Sequence, residues 1–339
     1  LTGERLELRA AVVVSATGPW TDALRRMEDP AAEALLRLTK GVHVVVPRTR
    51  VGHHEAITFT SPIDGRVMFV LPWGELSYIG TTDTDTAESP EQVRADDGDV
   101  LYLLRSANAL FPGARLAVED VRATWAGLRP LLRSDTDDAR ASSLSREHAI
   151  VEGPGGLIAV AGGKLTTYRA MAAETVDRVV RRLGPRGGGA WPVWAATDTE
   201  PLPGGETADL TAFAAMGADA GLAPATIAHL LQHYGTEAAG ICNLAISDRT
   251  LARPLDPDHP AIAAEVIHAV RRELALRVED VLVRRTHLFY EVPDRGRRAA
   301  AAVAALMGRE LGWDETGIAA ERERYAAMVK AACAGVTAP

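Results

Sequence analysis

The densest chemistry in the 339-residue sequence lies in Ala161-Gly162-Gly163-Lys164-Leu165-Thr166-Thr167-Tyr168-Arg169. A β-rich run, a glycine pair, a lysine and a helix start put unpaired backbone N–H groups, a positive dipole end and an ammonium around one point. Such a point suits an anion or an electron-rich ring. The G-x-x-x-x-G-K-[ST] spacing of a nucleotide phosphate loop is absent, and a tight turn with a solvated lysine fits the same pattern. A second candidate is Arg129 in Trp125-Ala126-Gly127-Leu128-Arg129-Pro130-Leu131, with Arg146 downstream in Ser145-Arg146-Glu147-His148. A guanidinium held between a small-residue turn and a proline suits two-point binding of phosphate or carboxylate, although a surface ion pair is the plainer reading. His43 sits inside the apolar run Gly41-Val42-His43-Val44-Val45-Val46-Pro47, where a hydrogen-bonded core histidine is commoner than a catalyst. In Gly80-Thr81-Thr82-Asp83-Thr84-Asp85 the polar side chains satisfy backbone groups at a strand end. No third carboxylate follows at ligand spacing, so no metal site is expected. The Arg271/Arg272 and Arg284/Arg285 pairs read as solvated helix faces.

The elements that must position these residues alternate in the first 170 residues between short β-rich runs and helices, which predicts an α/β or α+β arrangement. Residues 9–16 form a β-branched run expected to be a strand buried on both faces. Residues 31–40 read as a helix and 42–47 as a strand. Residues 56–60, 66–71 and 76–81 read as strands joined by Pro62-Ile63-Asp64-Gly65 and Trp73-Gly74, hence antiparallel. Pro90 is expected to open a helix running to Leu110, stopped by Pro112-Gly113. Strands follow near 148–151 and 157–161, then a helix with Ala172, Val176, Val179, Val180 and Leu183 on one face, closed by Gly184-Pro185. The Gly- and Pro-rich residues 184–206 have no period and mark a domain boundary. Beyond them an all-helical domain is expected, with helices at 226–233, 261–277 (Ile262, Val266, Val270 and Leu274 inward), 278–288, 297–311 and 316–332. The expected division is 1–184 for the cofactor and substrate domain, 185–206 for a linker and 207–333 for the helical domain.

Composition narrows the classes of function. The chain is 47% hydrophobic and 24% charged, which is globular, and its length suits two domains. Lys and Arg total 37 against 45 Asp and Glu, a formal charge of −8, which lacks the electrostatic footprint of a nucleic-acid binder. Cys242 and Cys333 stand far apart without ligand spacing, so neither a disulfide framework nor zinc is indicated and a reducing cytoplasm fits. The longest apolar stretches fall short of the roughly 18–20 residues that span a bilayer.

Six segments occur in one order: Ala16-Thr17-Gly18-Pro19-Trp20, Lys40-Gly41-Val42-His43, Gly80-Thr81-Thr82-Asp83-Thr84-Asp85, Gly127-Leu128-Arg129-Pro130-Leu131, Ser145-Arg146-Glu147-His148 and Gly162-Gly163-Lys164-Leu165-Thr166-Thr167-Tyr168-Arg169. Together they resemble the FAD-dependent glycerol-3-phosphate dehydrogenase family, the quinone-linked respiratory enzymes and their oxidase relatives. The resemblance continues through Leu202-Pro203-Gly204-Gly205 to about Arg324. It implies a partial FAD-binding Rossmann-type domain with an antiparallel-sheet substrate domain, as in the D-amino-acid-oxidase-like superfamily, followed by helices. It also implies that Thr17 and Gly18 let the backbone approach FAD and that Gly162, Gly163, Lys164, Leu165 and Thr166 lie beside the isoalloxazine. By the same resemblance Arg129 and Arg146 hold the phosphate of glycerol 3-phosphate and Lys164 lies near the reacting hydroxyl. His43, close to the flavin, becomes a candidate for taking the hydroxyl proton as C2 gives up hydride.

One departure from the family is large. No G-x-G-x-x-G follows a strand in these residues, and an arginine that the family contributes from its early sequence is also missing. The chain therefore looks like the carboxy-terminal two-thirds of the enzyme, expected to bind FAD weakly and to be inactive by itself. The expected acceptor is a membrane quinone, with peripheral attachment at the inner face of the cytoplasmic membrane and a possible homodimer. Oxygen as acceptor, giving peroxide, is the nearest alternative. An amino-acid oxidase fits less well, because two arginines and a lysine suit phosphate better than a zwitterion. A noncatalytic remnant acting through protein contacts is the alternative from another class.

Overall fold

Side-chain captures of backbone N–H groups decide where one strand and two helices of this chain begin. They were located in a computed structural model that describes residues 5–133, 147–184 and 195–333. The described residues fall into two compact units, one drawn from residues 1–43, 80–95 and 125–200, the other from 44–79, 96–124 and 201–339. The last boundary falls inside the Gly- and Pro-rich stretch.

In the first unit β1 (Val14–Ser15) runs parallel to β9 (Ile158–Gly162), which pairs antiparallel with β8 (His148–Glu152). The strand expected over 9–16 is thus two residues long and is not buried on both faces: Val13 and Val14 are 56% and 42% exposed and only Ser15 is buried. Among the described residues its one ladder partner is β9. A turn at Gly18–Trp20 leads into α1 (Thr21–Glu28), whose Glu28 carboxylate accepts from Leu157 N at 2.8 Å.

The helix expected at 31–40 does not form. The Asp22 carboxylate accepts the N–H groups of Leu35 and Leu36 at 3.0 and 3.1 Å, and Arg25 bridges Asp22 to Glu33 O. Those bonds hold the chain extended, so that β2 spans Leu36–Pro47. The antiparallel partner β6 (Thr84–Asp85) is tied to it by Arg37, which grips both Asp85 oxygens at 2.6 and 2.7 Å. α4 (Tyr168–Leu183) follows β9; of its expected inward face, Val176 is 53% exposed, and Thr175 is the buried residue.

The second unit includes the short α2 (Arg48–Val51) and the hairpin β3 (Ile57–Thr60) and β4 (Val67–Trp73), in register from Ile57 opposite Val70 to Thr60 opposite Val67. With β5 (Leu76–Gly80) and β7 (Ala123–Leu132) the six-stranded sheet has the order β3-β4-β5-β2-β6, β7 pairing with β2. α3 (Asp97–Leu110) starts seven residues later than Pro90, because Asp96 and Asp99 form a reciprocal capping box.

The C-terminal part is helical: α5 (Thr211–Asp219), α6 (Pro224–Tyr234), α7 (Ala238–Ser247), α8 (Ala263–Glu273), a π-turn at Asp280–Arg285, α9 (Leu288–Glu291), α10 (Arg297–Leu311) and α11 (Glu315–Cys333). Leu230, Ile241, Val266, Leu282, Leu288, Val303 and Met307 form its core. A two-stranded hairpin, β10 (Pro254–Asp256) and β11 (His259–Ile262), interrupts the helices. Pro254, Pro257 and Pro260 rule out a helix there. α8 ends four residues before the expected 277. Leu274 adopts a left-handed φ of 55° and is 80% exposed rather than inward, while Asp280 accepts from the N–H groups of Leu276 and Arg277 and starts the next turn.

Candidate functional site

Within the first unit β2 carries Gly41 and His43, β5 ends on Gly80, and β7 carries Trp125 and Arg129. Arg129 Nη1 donates to Asp83 Oδ1 at 3.1 Å and Nη2 to Thr81 Oγ1 at 2.9 Å. The guanidinium lies over Gly41, where an added Cβ would stand 2.5 Å from Nη2. Gly41 therefore makes room for the arginine. Gly80 does the same for His43, since a Cβ there would overlap the imidazole. On its other side the His43 ring stacks on Trp125, with centroids 5.2 Å apart and planes at 26°.

Burial lowers the pKa of His43 to about 4, with the Arg129 charge acting in the same direction. The imidazole is accordingly neutral at physiological pH, next to a fixed cation. The Asp83 side chain is only 6% exposed against 24% for Arg129, so this ion pair is well shielded from solvent.

The Gly162-Gly163-Lys164 turn leaves β9 with φ values of 70° and 81° at the two glycines, which glycine alone adopts readily. Gly163 N donates to Glu147 O, and Gly162 packs against Leu132, three residues along β7 from Arg129. Lys164 precedes a 3₁₀ turn at Leu165–Thr167 that runs into α4, and no side chain caps either start. Lys164, Leu165 and Thr166 are exposed, and the Lys164 ammonium forms no ion pair or hydrogen bond among the described residues. Gly18, at φ 54°, opens onto space free of other atoms, and Thr17 Oγ1 shares a hydrogen bond with Ser15 Oγ at 3.1 Å. Arg146 lies outside the described residues.

The structure thus brings His43 and Arg129 together and sets the glycine turn against the Arg129 strand. Three partners were not singled out from sequence: Thr81, Asp83 and Trp125. Thr81 Oγ1 donates to the neighbouring Thr82 O, as expected of a side chain that serves its local backbone, but Thr82 Oγ1 accepts from Val42 N 40 residues away and Asp83 reaches an arginine 46 residues away. The signal available was the adjacency of Gly41 and Gly80 to segments with charged side chains, a spacing that only the sheet makes meaningful.

Two family profiles match the chain. A family profile described as FAD dependent oxidoreductase matches residues 1–178, and one described as the C-terminal domain of alpha-glycerophosphate oxidase matches residues 195–318. The chain belongs to the FAD-dependent oxidoreductase family. The relatives that it resembles are named glycerol-3-phosphate dehydrogenases. It is 38% identical over 335 residues to glycerol-3-phosphate dehydrogenase 2 of Mycobacterium tuberculosis (strain ATCC 25618 / H37Rv), covering 97% of this chain and 55% of that protein. It is 33% identical over 320 residues to the mitochondrial glycerol-3-phosphate dehydrogenase of Homo sapiens, covering 93% and 43%. The X-ray structure of glycerol-3-phosphate dehydrogenase from Bacillus halodurans, complexed with FAD, superposes with a TM-score of 0.81 at 30% identity, over 98% of this chain and 64% of that one. The chain spans about half the length of the curated relatives it matches.

Proposed function

We propose that this chain supplies substrate-binding and flavin-facing residues for the FAD-dependent oxidation of sn-glycerol 3-phosphate to dihydroxyacetone phosphate, with the electrons passing to a membrane quinone. The observation that carries this is the Arg129 guanidinium, oriented by Asp83 and Thr81 beside a neutral imidazole. Arg129, with Arg146, binds the substrate phosphate through charge-assisted hydrogen bonds. His43 is neutral and so has an acceptor for the C2 hydroxyl proton. Burial is the larger cause of its low pKa and keeps it a weak base; the phosphate dianion would offset the second cause, the Arg129 charge. Lys164 lies near the reacting hydroxyl.

The residues present fit a flavin. Gly162, Gly163, Lys164, Leu165 and Thr166 offer an exposed, uncapped helix start, which favours negative charge on an adjacent ring. Thr17 and Gly18 follow β1, and a Cβ added at Gly18 would meet no atom within 4 Å. When bound, FAD supplies the hydride acceptor. The pyrophosphate fingerprint is not among these 339 residues, so the chain by itself is expected to hold FAD weakly and not to turn over. Purification of a yellow protein that reduces a dye with glycerol 3-phosphate would overturn that expectation.

Titration of the 339-residue chain with glycerol 3-phosphate, followed by tryptophan fluorescence because Trp125 lies on His43, tests the substrate half. Saturable binding that Arg129→Gln weakens by about tenfold or more, the loss expected for a hydrogen bond to a charged group, supports it. No binding, or binding untouched by the substitution, overturns it. The second matching profile carries an oxidase description, which favours oxygen as the alternative acceptor; peroxide release under air by the FAD-loaded enzyme would select it.

The proposed domains are 1–184 for cofactor and substrate, 185–206 for a linker and 207–333 for the helices. No helix among the described residues is long and apolar enough to cross a membrane. Peripheral attachment at the inner face of the cytoplasmic membrane is proposed separately, and vesicle flotation tests it. A homodimer is proposed as well, with sedimentation as its check.

A further inference from the structure

The second unit contains a cavity of about 730 Å³ that the Arg129 site does not use. It lies between the Leu202-Pro203-Gly204-Gly205 turn and the C-terminal turns of α6 and α8. The turn is fixed: Gly204 and Gly235 both take positive φ, 89° and 53°, and pass too closely to admit a side chain on either, while Thr236 N donates to Gly204 O at 3.0 Å. A volume of this size is within the roughly 300–1,000 Å³ of small-molecule sites.

The charges around the cavity are divided between committed and uncommitted groups. Arg271 is committed to Glu310, through both nitrogens of its fork at 2.6 and 2.9 Å. Glu273 is committed to Arg285 at 3.2 Å. Arg272 and Glu237 form no ion pair or hydrogen bond among the described residues. His268 and Arg272, four residues apart on α8, share one helix face. His268 is buried, its Nε2 stands 3.8 Å from Glu273 Oε1, its ring meets Tyr234 edge-on at 5.4 Å, and the charges of Glu273, Glu237 and Arg272 all act on it. One free cation, one free carboxylate and a buried imidazole therefore converge on one cavity. The Tyr234 hydroxyl is not available, since it donates to Glu265 at 2.9 Å.

We infer that this cavity binds a small phosphorylated sugar or polyol, with Arg272 and His268 on the phosphoryl group and Glu237 accepting from a hydroxyl. The ligand must be anionic at one end to use Arg272 and hydrogen-bond donating at the other to satisfy Glu237. A sugar hydroxyl supplies the donor without a second charge, and Gln232 with the backbone of Gly205 offers further polar partners. A phosphomonoester, with its second pKa of about 6, also exchanges a proton readily with an imidazole.

The test is a phosphorus-NMR titration of the 339-residue chain carrying Arg129→Gln, which silences the other proposed anion site, with glucose 6-phosphate and inorganic phosphate as probes. Saturable binding of glucose 6-phosphate, tighter than inorganic phosphate, is expected. Arg272→Gln should weaken it about tenfold or more, as loss of a charged hydrogen-bond donor does, and Glu237→Gln should remove the preference over inorganic phosphate. Arg271→Gln, already neutralised by Glu310, should leave it unchanged. Absence of saturable binding, equal loss in the Arg271 and Arg272 variants, or retention in Arg272→Gln would overturn the inference. So would tighter binding of an amino acid such as glutamate at the same residues.

Discussion

Arg129 reaches across β2 because Gly41 has no side chain: its Nη2 stands 2.5 Å from where a Gly41 Cβ would be. Two strands thus share one cation, which a methyl group would displace. Gly41→Ala should move the guanidinium away from Asp83 and Thr81. Binding of glycerol 3-phosphate should weaken about tenfold or more, a loss of roughly one charge-assisted contact, while far-ultraviolet circular dichroism is unchanged. Wild-type affinity in Gly41→Ala would show that the guanidinium position does not matter to binding.

Asp83 holds the same cation from the other side. Its side chain is nearly buried, so Asp83→Asn keeps the shape but leaves Arg129 less well compensated. A stability loss of about 1–3 kcal/mol is expected in urea unfolding, together with weaker orientation of the arginine. If Asp83 served only its local backbone, Asp83→Asn and Asp85→Asn would behave alike; Asp85 is 55% exposed and pairs with Arg37 on the surface, so its loss should cost far less.

Much of the candidate site is legible along the chain. The glycine turn at 162–164, the restrained Arg129 and the His43 strand each stand in a short segment whose local pattern has a physical meaning. The hairpin at Ile57–Thr60 and Val67–Trp73 and the helix Arg297–Leu311 follow from turn residues and periodicity in the same way. What is not legible is the bond between segments. Asp83 and Arg129 are 46 residues apart, and nothing local distinguishes Asp83 from Asp85. The strand that starts at Leu36, inside the helix expected at 31–40, depends on an Asp22 carboxylate 13 and 14 residues upstream of the N–H groups that it captures. Leu274 turns outward because Asp280, six residues downstream, takes over the following N–H groups.

His43 makes stability depend on pH in a definite window. Its folded pKa of about 4 lies below the usual 6.5, so the native state favours the neutral ring. Above pH 6.5 the ring is neutral in both states and the contribution is fully present. As pH falls from about 6.5 to 4, the unfolded chain takes up a proton that the native site resists, and stability declines by up to about 3 kcal/mol. His43→Gln should flatten that part of the profile. Trp125→Ala, which uncovers the ring, should raise the histidine pKa toward 6.5 in an NMR titration. A pH profile identical in wild type and His43→Gln would show that the ring is not shielded.

Glu265 presents the corresponding question in the helical part, with a buried carboxylate that no proposed reaction uses. It is fully buried and accepts three hydrogen bonds or ion-pair contacts: His229 Nε2 at 2.9 Å, the Tyr234 hydroxyl at 2.9 Å and Ile262 N at 2.7 Å. The last of these fixes the start of α8, and the first two join α8 to α6. Burial, and then the Glu265 carboxylate, push the Tyr234 hydroxyl pKa far up, so it remains a donor at any ordinary pH. Glu265→Ala removes the acceptor from three groups at once and leaves His229 Nε2 buried without its hydrogen-bond partner. A loss of about 3–5 kcal/mol in urea unfolding is expected, the range for breaking a buried pair by deleting one partner. Glu265→Gln keeps an acceptor oxygen for Ile262 or Tyr234 and should cost less. If both substitutions cost under about 1 kcal/mol, as at ordinary surface positions, the network is not what joins these helices, and their apolar packing around Leu230 and Val266 suffices.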